Sequence, residues 1–411
     1  MVGPQSAIVV GAGVVGLSTA WFLQERDVSV TVIDRIGVAA GASWGNAGWI
    51  APALSMPLND PRMLRYALRS LPNRNGPVRI PLIADPALWR FLIRFAANCR
   101  RSSWIQAARA GVALNQECFQ AYEALVSNGV DAPITEAPIT ALFHNSQQAE
   151  HLLEELQRLA DAGQPISTTE LSGAGLREQV PLASSAVTAG IRIDGQRFVD
   201  PGRFVQALGR SVVERGAELH TEDVVDVRSS GNGVTVQPAE GPALTADVAV
   251  IATGAWLPRL VRRWVRVPVQ AGRGYSFTVR VQRPVFGPIY LPDARVACTP
   301  LKGKLRVTSM MEFRRPDAPA SARVVDAICD SARPYLDGVQ WAERDEIWVG
   351  PRPLSPDGRP LVGQVSANGV YVAGGHGMWG MKQGPATGRL LAEQITTGKQ
   401  PEALREFDPT R

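Results

Sequence analysis

The sequence predicts an α/β protein: a parallel sheet assembled from separated stretches of the chain, interleaved with a second, α+β domain built on a mixed sheet. Three observations carry that expectation. The first forty residues run strand, glycine turn, helix, strand and acid in close succession. Two later apolar strands, ending near Thr253-Gly254 and Gly374-Gly375, break into glycine-containing turns in the same way. The stretches between them mix amphipathic helices with strands, and no repeat or low-complexity linker separates them. At 411 residues the chain also exceeds what one hydrophobic core usually organises.

Residues 7–10 (Ala-Ile-Val-Val) form an apolar strand that runs directly into Gly11-Ala12-Gly13-Val14-Val15-Gly16. A helix follows from Leu17, then a second strand, Val28 to Ile33, closing on Asp34 and Arg35. Each part has a task in a dinucleotide site. Gly11 permits the tight turn, Gly13 lets backbone approach a pyrophosphate, and Gly16 lets helix and strand pack closely. The helix start presents free N–H groups and a positive dipole end to the phosphates. Asp34, 18 residues beyond Gly16, can accept hydrogen bonds from ribose hydroxyls. The fingerprint by itself does not separate FAD from NAD.

Three later segments favour a flavin. Gly41 to Ile50 is rich in small residues, so backbone can run close to a flat ligand; Ala42, Ala47, Gly48 and Trp49 would pack there, and Ser43 and Asn46 offer hydrogen bonds. Residues 201–221 read as an amphipathic helix running into a strand, with Phe204, Leu208 and Val212 along one face. Strands at about 222–228, which include Val224, and 233–237 follow; the next ends at Thr253-Gly254, close to Trp256. Ligands of parallel sheets bind at that carboxyl edge. Finally the strand from Val370 enters Gly375-His376-Gly377-Met378-Trp379-Gly380-Met381-Lys382, with a helix expected from about Gly384 to Gln394. A helix N-terminus there can stabilise the negative N1–C2 edge of a reduced flavin.

Composition narrows the class. With 45% hydrophobic and 20% charged residues the chain reads as a soluble globular protein, and no stretch approaches the ~20 apolar residues of a membrane span. Met1 to Ser6 leave no room for a secretory leader before the first strand. Cys99, Cys118, Cys298 and Cys329 lack metal-ligand or disulfide-framework spacing. No metal is therefore expected, and a cytoplasmic setting is. The net charge of +5 comes from a chain whose 43 basic residues are nearly all arginine; without an aromatic and basic recognition motif, no nucleic-acid partner is expected.

Taken together, Gly11 to Gly16 with Asp34, Ser43 to Gly48, Ala252-Thr253-Gly254, Gly274-Tyr275-Ser276, Gly350-Pro351-Arg352-Pro353 with Pro356-Asp357-Gly358, and Gly375-His376-Gly377 resemble, in order and over nearly the whole chain, the D-amino-acid oxidase superfamily of FAD-dependent oxidoreductases. Within it the chain looks most like the bacterial D-amino-acid dehydrogenases. The resemblance implies a Rossmann-like FAD domain from residues 1–55, 195–262 and 345–411, and a substrate domain from 56–194 and 263–344. It implies non-covalent FAD, since no cysteine lies near the C-terminal glycine turn. It makes Arg352 the grip for a substrate carboxylate, with Tyr275 or Tyr290 as candidate assistants and His376 beside the flavin. Hydride would pass from substrate Cα to flavin N5, giving an imino acid and then a keto acid.

Two departures from the pattern keep alternatives open. Ala294 to Cys298 lacks the tyrosine of many such dehydrogenases, and the ending Gly384-Pro385-Ala386-Thr387-Gly388 is closer to glycine-oxidase-like and proline-type members. An oxidase of glycine, sarcosine, hydroxyproline or opine-type amines is the second reading, and a non-catalytic flavin protein the third. Residues 60–110 carry ten arginines (62, 65, 69, 74, 79, 90, 94, 100, 101, 109) against Asp60 and Asp85. Leu64, Leu68 and Leu71, and then Trp89, Ile93 and Ala97, fall at helical spacing. Such a stretch suits either a solvated basic face or peripheral contact with an anionic membrane. Membrane contact would favour quinone over O2 as electron acceptor.

Overall fold

The structure, a computed structural model, describes residues 3–62, 64–65, 78–81, 83–231 and 233–411. Leu68, Leu71, Arg69 and Arg74 of the basic stretch lie outside the described residues.

In chain order, the elements that shape the site are β1 (Ser6–Val10), α1 (Val14–Gln24), β2 (Ser29–Asp34), α2 (Pro86–Asn98), α3 (Arg101–Gln116), α4 (Cys118–Ser127), α5 (Pro201–Glu214), β3 (Glu218–Thr221), β4 (Val248–Ile251), β5 (Gln270–Val281), β6 (Lys304–Phe313), β7 (Val339–Leu354), β8 (Leu361–Gln364), β9 (Val370–Gly374) and α6 (Gly380–Thr397). One sheet has the order β3-β2-β1-β4-β9-β8. All its pairings are parallel except β8 with β9. Parallel strands are covered on both faces and therefore read as continuous apolar runs, as β1, β4 and β9 do, with Ala7 to Val10, Val248 to Ile251 and Val370 to Gly374 all buried. α1 is buried almost all round rather than along one stripe, from Val14 to Leu23. It is held against β1 and β2 on one side and against α5 and α6 on the other, the environment in which a helix loses its polar face.

A larger sheet carries β7-β5-β6 at one end and continues through residues 296–301, 289–291, 139–143, 189–193 and 168–172. Its long antiparallel ladder sets Gly272 opposite Arg352 and Gly274 opposite Gly350. Tyr275, Phe277, Leu305 and Val307 belong to its own buried cluster. The two sheets are stapled where β7 ends: Leu354 bridges His376, and the Gly377 N–H donates to the Pro353 carbonyl at 2.8 Å. That staple brings Arg352 against the glycine turn after β9.

α6 starts at Gly380, four residues before the sequence places it, and runs through Pro385. Proline within a helix removes the N–H that would bond four residues back, here at the Met381 carbonyl. The Tyr122 hydroxyl, from α4, donates to that carbonyl at 2.6 Å, so the acceptor freed by Pro385 is satisfied from outside the helix. A buried carbonyl needs such a partner.

Candidate active site

The carboxyl edge of the parallel sheet opens into a cavity walled by the turns after β1, β2, β4 and β9 and by the end of β7. Gly11 turns through φ +116°, and a Cβ there would sit 2.5 Å from the Ala252 carbonyl oxygen. A side chain at Gly16 would collide with the Gly11 carbonyl at 2.0 Å. Glycine at both positions is what lets β1, the turn and α1 fold into so small a space. Ser43 reaches back over the turn, its hydroxyl accepting from the Val14 N–H at 3.0 Å. The Asp34 carboxylate accepts from the N–H groups of Ala12 (2.8 Å), Ile36 (2.9 Å) and Gly37 (3.0 Å). It thus organises the loop around it while remaining on the cavity wall.

Of the residues singled out from sequence, Gly11, Gly13, Val14, Val15, Asp34, Arg35, Ala42, Ser43, Asn46, Val224, Thr253, Gly254, Trp256, Arg352, His376, Gly377, Gly380 and Met381 line this one cavity. Gly16, Ala47, Gly48, Trp49, Gly375, Met378, Trp379 and Lys382 are not among its lining residues. The Asn46 side chain accepts from the Gly48 N–H at 2.9 Å. Ala47 and Trp49 are tied to the larger sheet through Thr299, whose hydroxyl donates to the Ala47 carbonyl at 2.7 Å and accepts from Trp49 Nε1 at 2.8 Å.

Of the arginines on the cavity wall, Arg35 and Arg259 each pair with a carboxylate, and Arg352 does not. It is half-buried, and its one partner among the described residues is the Met310 carbonyl, at 2.5 Å from Nη1. Among the described residues no carboxylate pairs with it, and desolvation pulls its guanidinium down to about 10. A Cβ at Gly274 would fall 2.2 Å from Arg352 Nη2, so the glycine opposite it in the ladder is what makes room for the guanidinium. Met310 presents its carbonyl from φ +77°, a conformation uncommon outside glycine and often found at functional positions.

His376 is buried, and burial pushes its imidazole down to about 4. Its Nε2 lies 2.9 Å from the Thr387 hydroxyl on α6, while Nδ1 and the Thr253 hydroxyl have no hydrogen-bond partner among the described residues. Lys382 is buried and does not line the cavity. Its ammonium donates to the Ser55 hydroxyl and sits 4.9 Å from the centre of the Trp379 ring; burial brings it down to about 7. The orphaned polar atoms of Thr253 and His376, the glycine cradle and the α6 N-terminus on one wall fit a dinucleotide cofactor with a flat ring system at its inner end.

The two tyrosines are not brought to this cavity. Tyr275 is fully buried, with its hydroxyl donating to Glu312 Oε2 at 3.0 Å. Tyr290 packs edge-on to Trp49 with ring centres 5.9 Å apart, and burial raises its hydroxyl above the usual range. Sequence reasoning missed Met310, whose role rests on backbone conformation and has no linear signal. It also missed Asp223 and Arg259, which line the cavity and pair at 3.3 Å; the acid directly preceding Val224 was a visible clue.

A family model described as FAD dependent oxidoreductase matches residues 6–394. The chain is 27% identical over 410 residues to a D-amino acid dehydrogenase of Agrobacterium fabrum, covering 96% of each. A glycine oxidase from Geobacillus kaustophilus superposes with a TM-score of 0.75 at 22% identity, over 100% of this chain and 99% of that one. An iminodiacetate oxidase from Chelativorans sp. BNC1 gives 0.72 at 18% identity, over 98% of each.

Proposed function

The chain belongs to the DAO family of FAD-dependent oxidoreductases, and from that premise we propose that it oxidises the carbon–nitrogen bond of a small amino acid, a D-amino acid before others. One observation carries the reading: the Arg352 guanidinium stands on the cavity wall with a backbone carbonyl as its partner and, among the described residues, no counter-charge. A desolvated cation of this kind stabilises an incoming carboxylate, and two parallel N–H donors hold it in a fixed plane. Gripping the carboxylate leaves Cα and its amine only a small range of positions against the turn at Gly374–Gly380, which lowers the entropic part of the barrier. FAD, non-covalently bound, supplies the two-electron acceptor for the hydride that leaves Cα. The substrate nitrogen must first lose its extra proton, because its lone pair becomes the second C–N bond. His376, whose imidazole burial holds at about 4, is neutral at physiological pH and leaves the charge balance of that step to Arg352. The imino acid then hydrolyses in water to a keto acid and ammonia.

The second reading, oxidation of glycine, sarcosine, hydroxyproline or an opine-type amine, draws support from one feature. The Pro385-Ala386-Thr387-Gly388 ending, which resembles such members, is used structurally: Thr387 holds His376 and Pro385 leaves Met381 to Tyr122. For the electron acceptor we propose quinone, with O2 as the alternative. Trp89 and Ile93, 40% and 69% exposed on one face of α2, stand among the exposed Arg90 and Arg94, a combination suited to an anionic lipid surface. No helix among the described residues is long and apolar enough to cross a membrane, so the contact proposed is peripheral.

The test is anaerobic bleaching of the flavin's visible absorption by a panel of D-, L-, N-methyl and cyclic amino acids. Rapid bleaching by D-amino acids with inert L-forms is the expected outcome. Bleaching by glycine, sarcosine or cyclic imino acids alone would install the second reading, and a flavin that no amine reduces would sink both.

A further inference from the structure

The connection after β6 leaves the larger sheet and crosses to the cavity at the end marked by Asp34. There the Asp317 carboxylate spans two cavity-lining residues. Oδ1 accepts from Arg35 Nη2 at 2.7 Å, and Oδ2 from Trp256 Nε1 at 3.1 Å. The Arg35 guanidinium also lies 4.0 Å from the centre of the Trp256 ring, so cation, indole and carboxylate close a triangle. The far side of the connection is anchored in the core. Arg273, 1% exposed, pairs with Glu312 at 2.9 Å, and its Nη2 donates to the carbonyls of Ala318 and Pro319. Residues 314–319 are therefore a strap rooted in one sheet that ends on the cavity wall of the other.

The chemistry of the triangle bears on what the wall can hold. An arginine directly after the ribose-binding acid, left free, would attract a ribose 2′-phosphate. Asp317 neutralises Arg35 and, by fixing the indole N–H, holds the Trp256 ring in one plane. A wall whose arginine at this end is already answered suits an adenosine that carries no 2′-phosphate, as in FAD.

We infer that Asp317 is a cofactor-retaining residue, which fixes Arg35 and Trp256 against the adenosine end of FAD and so couples FAD release to opening of the 314–319 strap. The inference rests on the cavity being the FAD site of the family. Coupling of this kind is reciprocal: what loosens the strap weakens FAD, and FAD tightens the strap.

The test titrates FAD into the apoprotein of wild type, Asp317→Ala and Asp317→Asn, following flavin fluorescence, and measures release into excess competitor. Asp317→Ala is expected to raise Kd and speed release about fivefold. Asp317→Asn, which loses the charge but keeps an acceptor, should fall between. Trypsin cleavage after Arg314 should slow on FAD addition in wild type and lose that protection in Asp317→Ala. If wild type takes up no FAD, the cavity assignment itself has failed. If wild type binds FAD and both variants bind and release it alike, the strap is overturned and the assignment stands.

Discussion

Two arginines stand on neighbouring strands of the larger sheet and meet opposite ends. In the β5–β7 ladder Gly272 faces Arg352 and Arg273 faces Pro351. On β6, the strand that serves both, Glu312 lies two residues from Met310. Arg273 has its charge answered inside the fold: Glu312 Oε2 at 2.9 Å, two backbone carbonyls, and Tyr275 hydrogen-bonded to the same carboxylate. Arg352 has the Met310 carbonyl and then the cavity. Burying a charge costs several kcal/mol unless a partner answers it. An arginine whose partner is in the chain is a fastening of the fold. One that faces a cavity with only a carbonyl beside it is, on the function proposed, a place for a ligand, where a bound anion would offset the cost the cation carries in the free protein.

The largest test of that contrast is Arg352→Ala. Removing one partner of a desolvated charge pair costs about 4 kcal/mol, so kcat/KM for the amino acid should fall roughly 10³-fold. Thermal stability should hold or rise, since no carboxylate is left behind. Lysine at 352 keeps the charge but not the fork and should recover only part of the loss. The same change at the paired site reverses the pattern. Arg273→Met takes the closest cation from Glu312, leaving it Arg314 at 3.7 Å and the Tyr275 hydroxyl, and should cost about 3 kcal/mol of unfolding free energy, read from denaturant melts. A variant at 352 that unfolds the protein, or one at 273 that leaves stability untouched, would break the comparison.

Lys382 is a third buried cation, answered by a hydroxyl and an indole face. Cys118, a thiol held at about 11 by burial, is the titratable group that acts on it. With its folded value lowered to about 7 and an unfolded value of about 10.4, the unfolded chain binds a proton the folded chain lacks throughout that window. Stability from this group therefore rises with pH from about 7 to about 10, and the full penalty applies below 7. Lys382→Met should remove that slope. Its melting temperature should exceed wild type most at about pH 6 and converge with it toward pH 10; a constant difference across the range would mean the ammonium is not the source.

Much of this was legible along the chain, and the limits have a physical pattern. Gly11, Gly16 and Asp34 could be read because a tight turn demands particular residues at fixed spacing. Arg352 stands out in the sequence within Gly350-Pro351-Arg352-Pro353, which the fold places at the end of β7 and not in a turn. What sequence does not display is how a charge is answered. Arg273 and Glu312 are 39 residues apart, and their pairing depends on the register of β5 with β6, where an irregularity falls between Arg273 and Tyr275. The α6 boundary was misplaced for a related reason: Pro385 signals a helix end only if nothing supplies the missing bond, and Tyr122, 259 residues from Met381, supplies it.

Tyr275 gives the smallest effect and the sharpest reading of that lesson. From sequence it stands as a candidate partner for the substrate carboxylate, in the motif Gly274-Tyr275-Ser276. In the fold its hydroxyl is spent on Glu312, on the Arg273 side of the contrast, and burial together with that carboxylate raises it above the usual tyrosine range. Tyr275→Phe removes one hydrogen bond to a carboxylate that keeps its arginine, so the loss should be about 1.5 kcal/mol of stability. KM and kcat should change by no more than about twofold, because the Arg352 side is untouched. A rise in KM without loss of stability would move Tyr275 to the open site and show that the two arginines share more than a strand.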